Sequence, residues 1–280
     1  MAGVQIVTDS ACDLTPETVE ECRVRIVPLS VRFGEEELVD REELSTKEFW
    51  DRVITGPIIP ETAAPAPGKF QHAFLDAADE GCSGALCITL SSRLSATYQA
   101  ACTAAQSVAD RIAVNVVDSL TVTMGEGFLV LSASDQADQG KSLEEITSGV
   151  KELMARTRVY GVLESLDFLR RGGRIGGAAH LMGSLLSIKP VLEVREGVVE
   201  VESKQRTRQR SLKYLAGKPL QAGPLERLAV ANGAAEDIAE LLDLLRAANP
   251  AHEMVTTDLG PVIGSHAGPG AIGVCFQLAR

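Results

Sequence analysis

A serine follows a short apolar run and opens a stretch of small residues. Residues 84–90 are apolar, SSRLS spans 91–95, and the alanine-rich stretch 95–109 predicts a helix. In open α/β sheets, ligands bind beyond the carboxyl ends of strands, and a helix N-terminus offers N–H groups and a positive dipole end to an anion. Serine is also a common helix cap. Ser95 therefore predicts either an anion site or a simple cap.

Two other polar side chains lie in segments rich in proline or glycine. Thr62 begins TAAPAP, whose prolines would hold its hydroxyl in a fixed direction, and His266 lies in GSHAGPG, a predicted glycine-rich turn. Each has a plainer alternative, because a proline segment also suits a rigid connector and a turn histidine is often exposed without a role. The sequence leaves both interpretations open for Thr62 and His266.

Other polar motifs are weaker candidates for chemistry. Asp9 and Asp13, in TDSACD, suit a turn before the helix cap Thr15 better than an acidic metal site. The glycine-rich GGRIGG, 172–177, lacks the patterns of nucleotide-binding loops. The sequence contains no GxSxG elbow, HExxH helix or kinase signature.

A lipid-ester hydrolase that uses Ser95 and His266 stays open, although no orienting carboxylate can be assigned.

The elements that would position these residues alternate between strands and helices. Such alternation predicts an α/β fold with a mostly parallel, Rossmann-like sheet covered on both faces. The sequence pattern changes from Val159 onward. This change predicts an N-terminal α/β domain, 1–157, and a C-terminal α/β domain, 158–280, with the ligand buried between or beside them. Predicted strands fall at 4–7, 24–33, 84–90 and 112–117, predicted helices at 68–79, 95–109 and 142–156, and a predicted hairpin turn at 195–197.

The bulk composition excludes several function classes. The 280 residues include 27 basic and 38 acidic side chains, and the net charge of -11 disfavours binding to nucleic acid. No apolar run approaches the roughly 20 residues of a membrane span, and no export signal is recognised, so we expect a cytoplasmic protein without stable membrane insertion. The six cysteines show no metal-site spacing and are predicted to be reduced and mostly buried. We expect no metal and no cofactor.

Seven separated motifs, in this order, resemble the DegV family. They are VTDSACDLT, TAAPAPGKF, LSSRLSATYQAA, VDSLTVTMGEG, LESLDFLRRGGRIG, SIKPVL and SHAGPGAIGV. The resemblance covers nearly the whole chain. It implies a two-domain α/β protein that is not an enzyme and that holds a long-chain fatty acid in a buried tunnel. It further implies that a separate fatty acid kinase converts this cargo to acyl phosphate for phospholipid synthesis.

The resemblance also implies roles for individual residues. The family's carboxylate-binding threonine, serine and histidine fall on Thr62, Ser95 and His266, and the Ala96 N–H would join them as a hydrogen-bond donor. No lysine or arginine is required at this head group. The chain departs from the family's pattern at Ala96, where glycine is expected, and at three other positions where polar residues are common: Ala63, Ala64 and Ala66.

A basic segment stands out in this acidic chain. Arg206 matches an arginine of the family's basic segment, and the resemblance implies that it contacts the partner kinase. The alternative is a solvated helix face. A fatty-acid-responsive regulatory sensor is a further alternative, since it would differ from a carrier only in its partner. The segment contains Lys204, Arg206, Arg208, Arg210 and Lys213.

Overall fold

A computed structural model describes residues 2–181, 188–250 and 252–280 of the protein. Ser187, the first residue of the motif SIKPVL, lies outside these residues. The strands are β1 (Ala2–Asp9), β2 (Arg25–Val27), β3 (Ser30–Phe33), β4 (Glu36–Val39), β5 (Glu61–Ala63), β6 (Cys82–Thr89), β7 (Val114–Asp118), β8 (Thr157–Val162), β9 (Lys189–Arg195), β10 (Val198–Gln205), β11 (Leu225–Gly233), β12 (Val255–Asp258) and β13 (Ala271–Leu278). The α-helices are α1 (Pro16–Glu21), α2 (Thr46–Thr55), α3 (Pro67–Asp79), α4 (Thr97–Ser107), α5 (Met124–Asp138), α6 (Leu143–Met154), α7 (Asp167–Arg171), α8 (Arg208–Ala222), α9 (Ile238–Ala248) and α10 (Pro261–Ala267).

The first sheet is parallel throughout, in the order β2-β1-β6-β7, which confirms the predicted α/β class and parallel sheet. Successive side chains of a strand point to opposite faces of the sheet. Ile6 of β1 packs in the cluster that contains Phe128 of α5 and Ile146 of α6, whereas Val7 packs with Phe70 of α3. Both faces are therefore covered by helices, and the strands read as continuous apolar runs.

The second sheet has six strands in the order β10-β9-β8-β13-β11-β12 and is antiparallel except for the β11–β12 pair. The predicted hairpin is confirmed, since Glu196 (φ 48°) and Gly197 (φ 82°) turn the chain between β9 and β10. Strands up to Asp118 and strands from Thr157 onward belong to different sheets. The domain boundary at 157/158 stays a prediction.

The predicted continuous strand over 24–33 is wrong. Pro28 and Leu29 separate β2 from β3, and β3 joins a small antiparallel sheet in the order β4-β3-β5. Proline has a fixed φ and no backbone N–H, so it cannot donate a hydrogen bond to a neighbouring strand. After this interruption the chain leaves the first sheet and enters the small one. Strand β5, which carries Thr62, pairs with β3 at the edge of the small sheet.

Helix α5 packs tightly against both large sheets. An added Cβ at Gly125 would lie 2.4 Å from Cγ2 of Val159 in β8, and one at Gly127 would lie 2.8 Å from the carbonyl oxygen of Cys12. These two glycines therefore allow α5 to pack closely against neighbouring protein atoms. Among the helices in the described ranges, none is long and apolar enough to cross a membrane.

Three of the six reduced cysteines are buried and three are partly exposed, so the prediction that most are buried is only half right.

Candidate functional site

An apolar cavity of about 130 Å³ lies between the carboxyl ends of the first sheet and one face of the second. Leu90 and Leu94 follow β6, Val122 follows β7, and Leu192 and Val194 come from the second sheet. The position beyond the strand ends is where ligands bind in open α/β sheets, and the lining is mostly apolar, as in many ligand sites.

Three side chains predicted from the sequence line this cavity: Thr62, Ser95 and His266. Thr62 Oγ1 lies 2.9 Å from His266 Nε2, although the residues are 204 positions apart in the chain. Ala96 follows Ser95 but is exposed and lies outside the described cavity wall. The contribution of its N–H to a ligand stays a prediction.

Ser95 lies before its helix and does not cap it. The turn over 91–95, closed by a hydrogen bond from the Ser95 N–H to the Ser91 carbonyl (3.1 Å), delays the start of α4 to Thr97. Ala96 occupies the cap position without a side-chain hydrogen bond. Ser95 Oγ lies 2.8 Å from Thr97 Oγ1 and accepts a hydrogen bond from the Thr97 N–H at 3.3 Å. Its hydroxyl is thus fixed locally at the cavity wall.

His266 lies in the last turn of helix α10, so the prediction of a glycine-rich turn is wrong at this residue. Pro261 begins the helix and Gly268, with φ 74°, ends it, because these residue types suit the two ends of a helix. The Nδ1 atom is buried without a hydrogen-bond partner in the described structure, and Gly172 packs directly against it. Burial, followed by the nearby charge of Arg174, lowers the pKa of His266 to about 4. The imidazole is therefore neutral at pH 7.

Arg174 is a cavity residue that the sequence analysis missed. Its Nε donates to the Leu94 carbonyl at 2.8 Å, and a terminal nitrogen donates to the Gly172 carbonyl at 2.6 Å. These bonds hold the guanidinium beside the Ser95 turn and the His266 ring. That no lysine or arginine is required at the head group stays a prediction. The available signal was the single arginine within GGRIGG, 172–177.

The hydrogen bonds of the described residues do not pair Ser95 with His266 as nucleophile and base. The Ser95 hydroxyl interacts with Thr97, and His266 Nε2 interacts with Thr62. Within the described residues, no hydrogen bond or ion pair joins a carboxylate to His266. A serine hydrolase needs a base that contacts the nucleophile and is oriented by a third group. The geometry therefore disfavours the hydrolase alternative.

Asp9 and Asp13 flank a single helical turn at Ser10–Cys12, which agrees with the predicted turn, and both side chains are buried. Asp9 accepts hydrogen bonds from the Ala11 N–H at 2.9 Å and the Leu90 N–H at 2.8 Å, and Asp13 accepts one from the Gly260 N–H at 3.0 Å. The described residues contain no group of three or more His, Cys, Asp or Glu side chains placed to hold a metal ion. Their hydrogen bonds show that these carboxylates join separate segments of the chain.

The basic segment is divided between structural and exposed side chains. Arg208 forms a bidentate ion pair with Asp237 (2.8 and 2.9 Å) and donates to the Gly270 carbonyl at 2.8 Å. Arg206 is exposed in the connection between β10 and α8 and has no ion pair among the described residues. It does not lie on a helix face. Within the basic segment, the exposed side chains that lie on α8 are Arg210 and Lys213.

Comparison with known proteins identifies the family. A family model described as "Uncharacterised protein, DegV family" matches residues 3–279. The chain belongs to the DegV family. A DegV domain-containing protein from Deinococcus radiodurans is 36% identical over 283 residues, which cover 98% of each chain.

Solved DegV structures share the whole fold. One from Thermus thermophilus, described as showing fatty acid binding of a DegV family protein, has a TM-score of 0.90 at 32% identity and covers 99% of this chain and 100% of its own. DegV from Bacillus subtilis, described as a fatty acid binding protein, has a TM-score of 0.90 at 30% identity, and the match covers 100% of both chains. The predicted DegV resemblance is confirmed.

Proposed function

We propose that this DegV protein binds a long-chain fatty acid in the apolar cavity and fixes its carboxylate at Thr62, Ser95 and His266. The observation that carries the proposal is the meeting of these three side chains, from distant segments, on the wall of one apolar cavity. A fatty acid has the matching chemistry of one anionic end and a long apolar chain. The fatty acid binding described for the Thermus and Bacillus relatives supports the same ligand.

The donors available at this end suit a carboxylate. Two hydroxyls and a neutral imidazole N–H can donate to its oxygens, and the Ala96 N–H is a further proposed donor. Arg174 adds a permanent positive charge close to His266, which favours an anion. The apolar wall would receive the acyl chain, whose burial contributes about 0.8 kcal/mol per CH₂ group.

The protein would act as a non-catalytic carrier in the cytoplasm. In this proposal a separate fatty acid kinase phosphorylates the bound carboxylate, and the resulting acyl phosphate feeds phospholipid synthesis. Arg206 would contact the kinase, since a positive side chain without an ion pair can attract an acidic or phosphate-bearing partner. The neighbouring Arg208 contacts Gly270, four residues beyond His266, which links the basic segment to the proposed head-group end.

Native mass spectrometry of the full chain, before and after denaturation, tests the proposal. We expect the folded protein to carry an additional mass that is released on unfolding and matches a fatty acid. Delipidated protein incubated with palmitate or oleate should regain one equivalent. Failure to bind either acid after this incubation would refute the proposal, whatever the state of the purified sample.

A further inference from the structure

Two glycines lie side by side in the middle of the six-stranded sheet. Gly161 of β8 is the direct antiparallel partner of Gly273 of β13. The same row continues to Leu192 in β9 and to Ala231 in β11. Directly paired residues present their side chains on the same face of a sheet. Leu192, Gly161 and Gly273 all line the apolar cavity, so this row faces the proposed ligand.

Neither the backbone nor the protein's own packing requires glycine at these two positions. Both have ordinary negative φ angles, unlike the turn glycines of this chain. A Cβ added at Gly161 would meet nothing closer than the Ile272 carbonyl oxygen at 3.4 Å, and one at Gly273 nothing closer than the Tyr160 carbonyl oxygen at 3.5 Å. These are normal van der Waals distances. Gly125, where an added Cβ would lie 2.4 Å from Val159, shows the contrast.

Glycine nevertheless weakens a strand, because it loses more conformational freedom on folding and has no side chain to pack. In a strand interior it often marks the close approach of a ligand or another backbone. No other protein backbone approaches the open side of this pair closely enough to need the space. What remains next to both residues is the cavity.

We propose that Gly161 and Gly273 form the floor of the acyl passage, and that their missing side chains set how bulky a chain the passage accepts. This inference rests on the proposed fatty-acid binding and adds two specificity-determining positions to it. A methyl group at either position would project into space that the acyl chain occupies. The fold itself has room for that methyl group.

The test compares delipidated wild type with the Gly161→Ala and Gly273→Ala variants in thermal unfolding and in palmitate titration. Without lipid, each variant should unfold at the wild-type temperature or higher, because alanine suits a strand better than glycine. Each should bind palmitate about tenfold more weakly, which corresponds to ~1.4 kcal/mol. Gly161→Val should lose more affinity than Gly161→Ala, as expected if the added volume blocks the passage.

Gly3→Ala is the matched control. Gly3 lies in β1, outside the cavity wall, and its added Cβ would meet only the Ala137 carbonyl oxygen at 3.6 Å. This variant should keep the wild-type affinity. Wild-type affinity in both alanine variants would overturn the inference alone, whereas a wild type that binds no fatty acid would overturn the proposed function as well. Misfolding of both alanine variants would also overturn the inference about the two glycines, because the structure leaves room for each methyl group.

Discussion

The Thr62→Val substitution tests the proposed head group most directly. Valine keeps the β-branched shape of threonine and suits strand β5, where Thr62 pairs with Val31 of β3. The substitution therefore removes one hydroxyl and leaves the strand intact. That hydroxyl lies 2.9 Å from His266 Nε2 and faces the cavity in which we place the carboxylate.

Two opposing effects determine the size of the change in affinity. A hydrogen bond to a charged group contributes about 1.5–3 kcal/mol, and its loss weakens binding. The substitution also leaves His266 Nε2 without its described partner in the lipid-free protein, at a cost of about 1 kcal/mol. A bound carboxylate would relieve part of this cost by engaging the imidazole. The first effect is larger, so the net loss should be about 1–2 kcal/mol, roughly 5- to 30-fold in the dissociation constant.

Isothermal titration of delipidated protein with palmitate measures this loss, and thermal unfolding without lipid measures the cost at His266. Thr256→Val is a suitable control, because Thr256 is an exposed threonine on strand β12, away from the cavity. It should alter neither quantity. Palmitate affinity within twofold of wild type, or an equal loss in the Thr256 variant, would show that Thr62 does not bind the carboxylate.

Three other predictions follow from the same structure. A fatty alcohol should bind more weakly than the acid of equal length in a displacement titration, because it forfeits charge-assisted hydrogen bonds; equal affinity would mean that the apolar wall dominates. Arg206→Ala should keep fatty-acid affinity but slow acyl phosphate formation with a cognate kinase and ATP, whereas the exposed Arg246→Ala should not; an unchanged rate across salt concentrations would return Arg206 to a merely solvated role. Burial raises the pKa of Asp13 to about 7 from an ordinary value of 3.8. Between pH 3.8 and pH 7 the folded protein therefore keeps a proton on Asp13 that the unfolded chain releases, and the wild type loses stability as the pH rises through this range. Asp13→Asn keeps an oxygen for the Gly260 N–H, and urea unfolding should show it more stable than wild type by about 2–4 kcal/mol at pH 8 but similar at pH 4; no change in this difference with pH would contradict a buried charge at Asp13.

Several features of the fold could be predicted because their signals are local. The capping box Ser142–Glu145 forms both of its hydrogen bonds and begins α6 at the next residue, and Thr15 caps α1 with Pro16 at its first position. The turn at Glu196–Gly197 depends on the conformational freedom of one or two residues. In each case, residues within a few positions of one another determine the structure. The alternation of apolar strand segments with helical segments along the chain also predicts a parallel sheet.

The tertiary structure alone decided how these elements combine into a site. Sequence pattern assigned Thr62, Ser95 and His266 to candidate roles, but only packing shows that they line one cavity and that Thr62 contacts His266. It also brings Arg174 to the same end. These relationships join residues that are up to 204 positions apart. They depend on long-range strand pairing and on the shape of the enclosed space, which no short segment specifies. The pairing of Gly161 with Gly273, which leaves that part of the cavity wall without side chains, likewise appears only in the folded sheet.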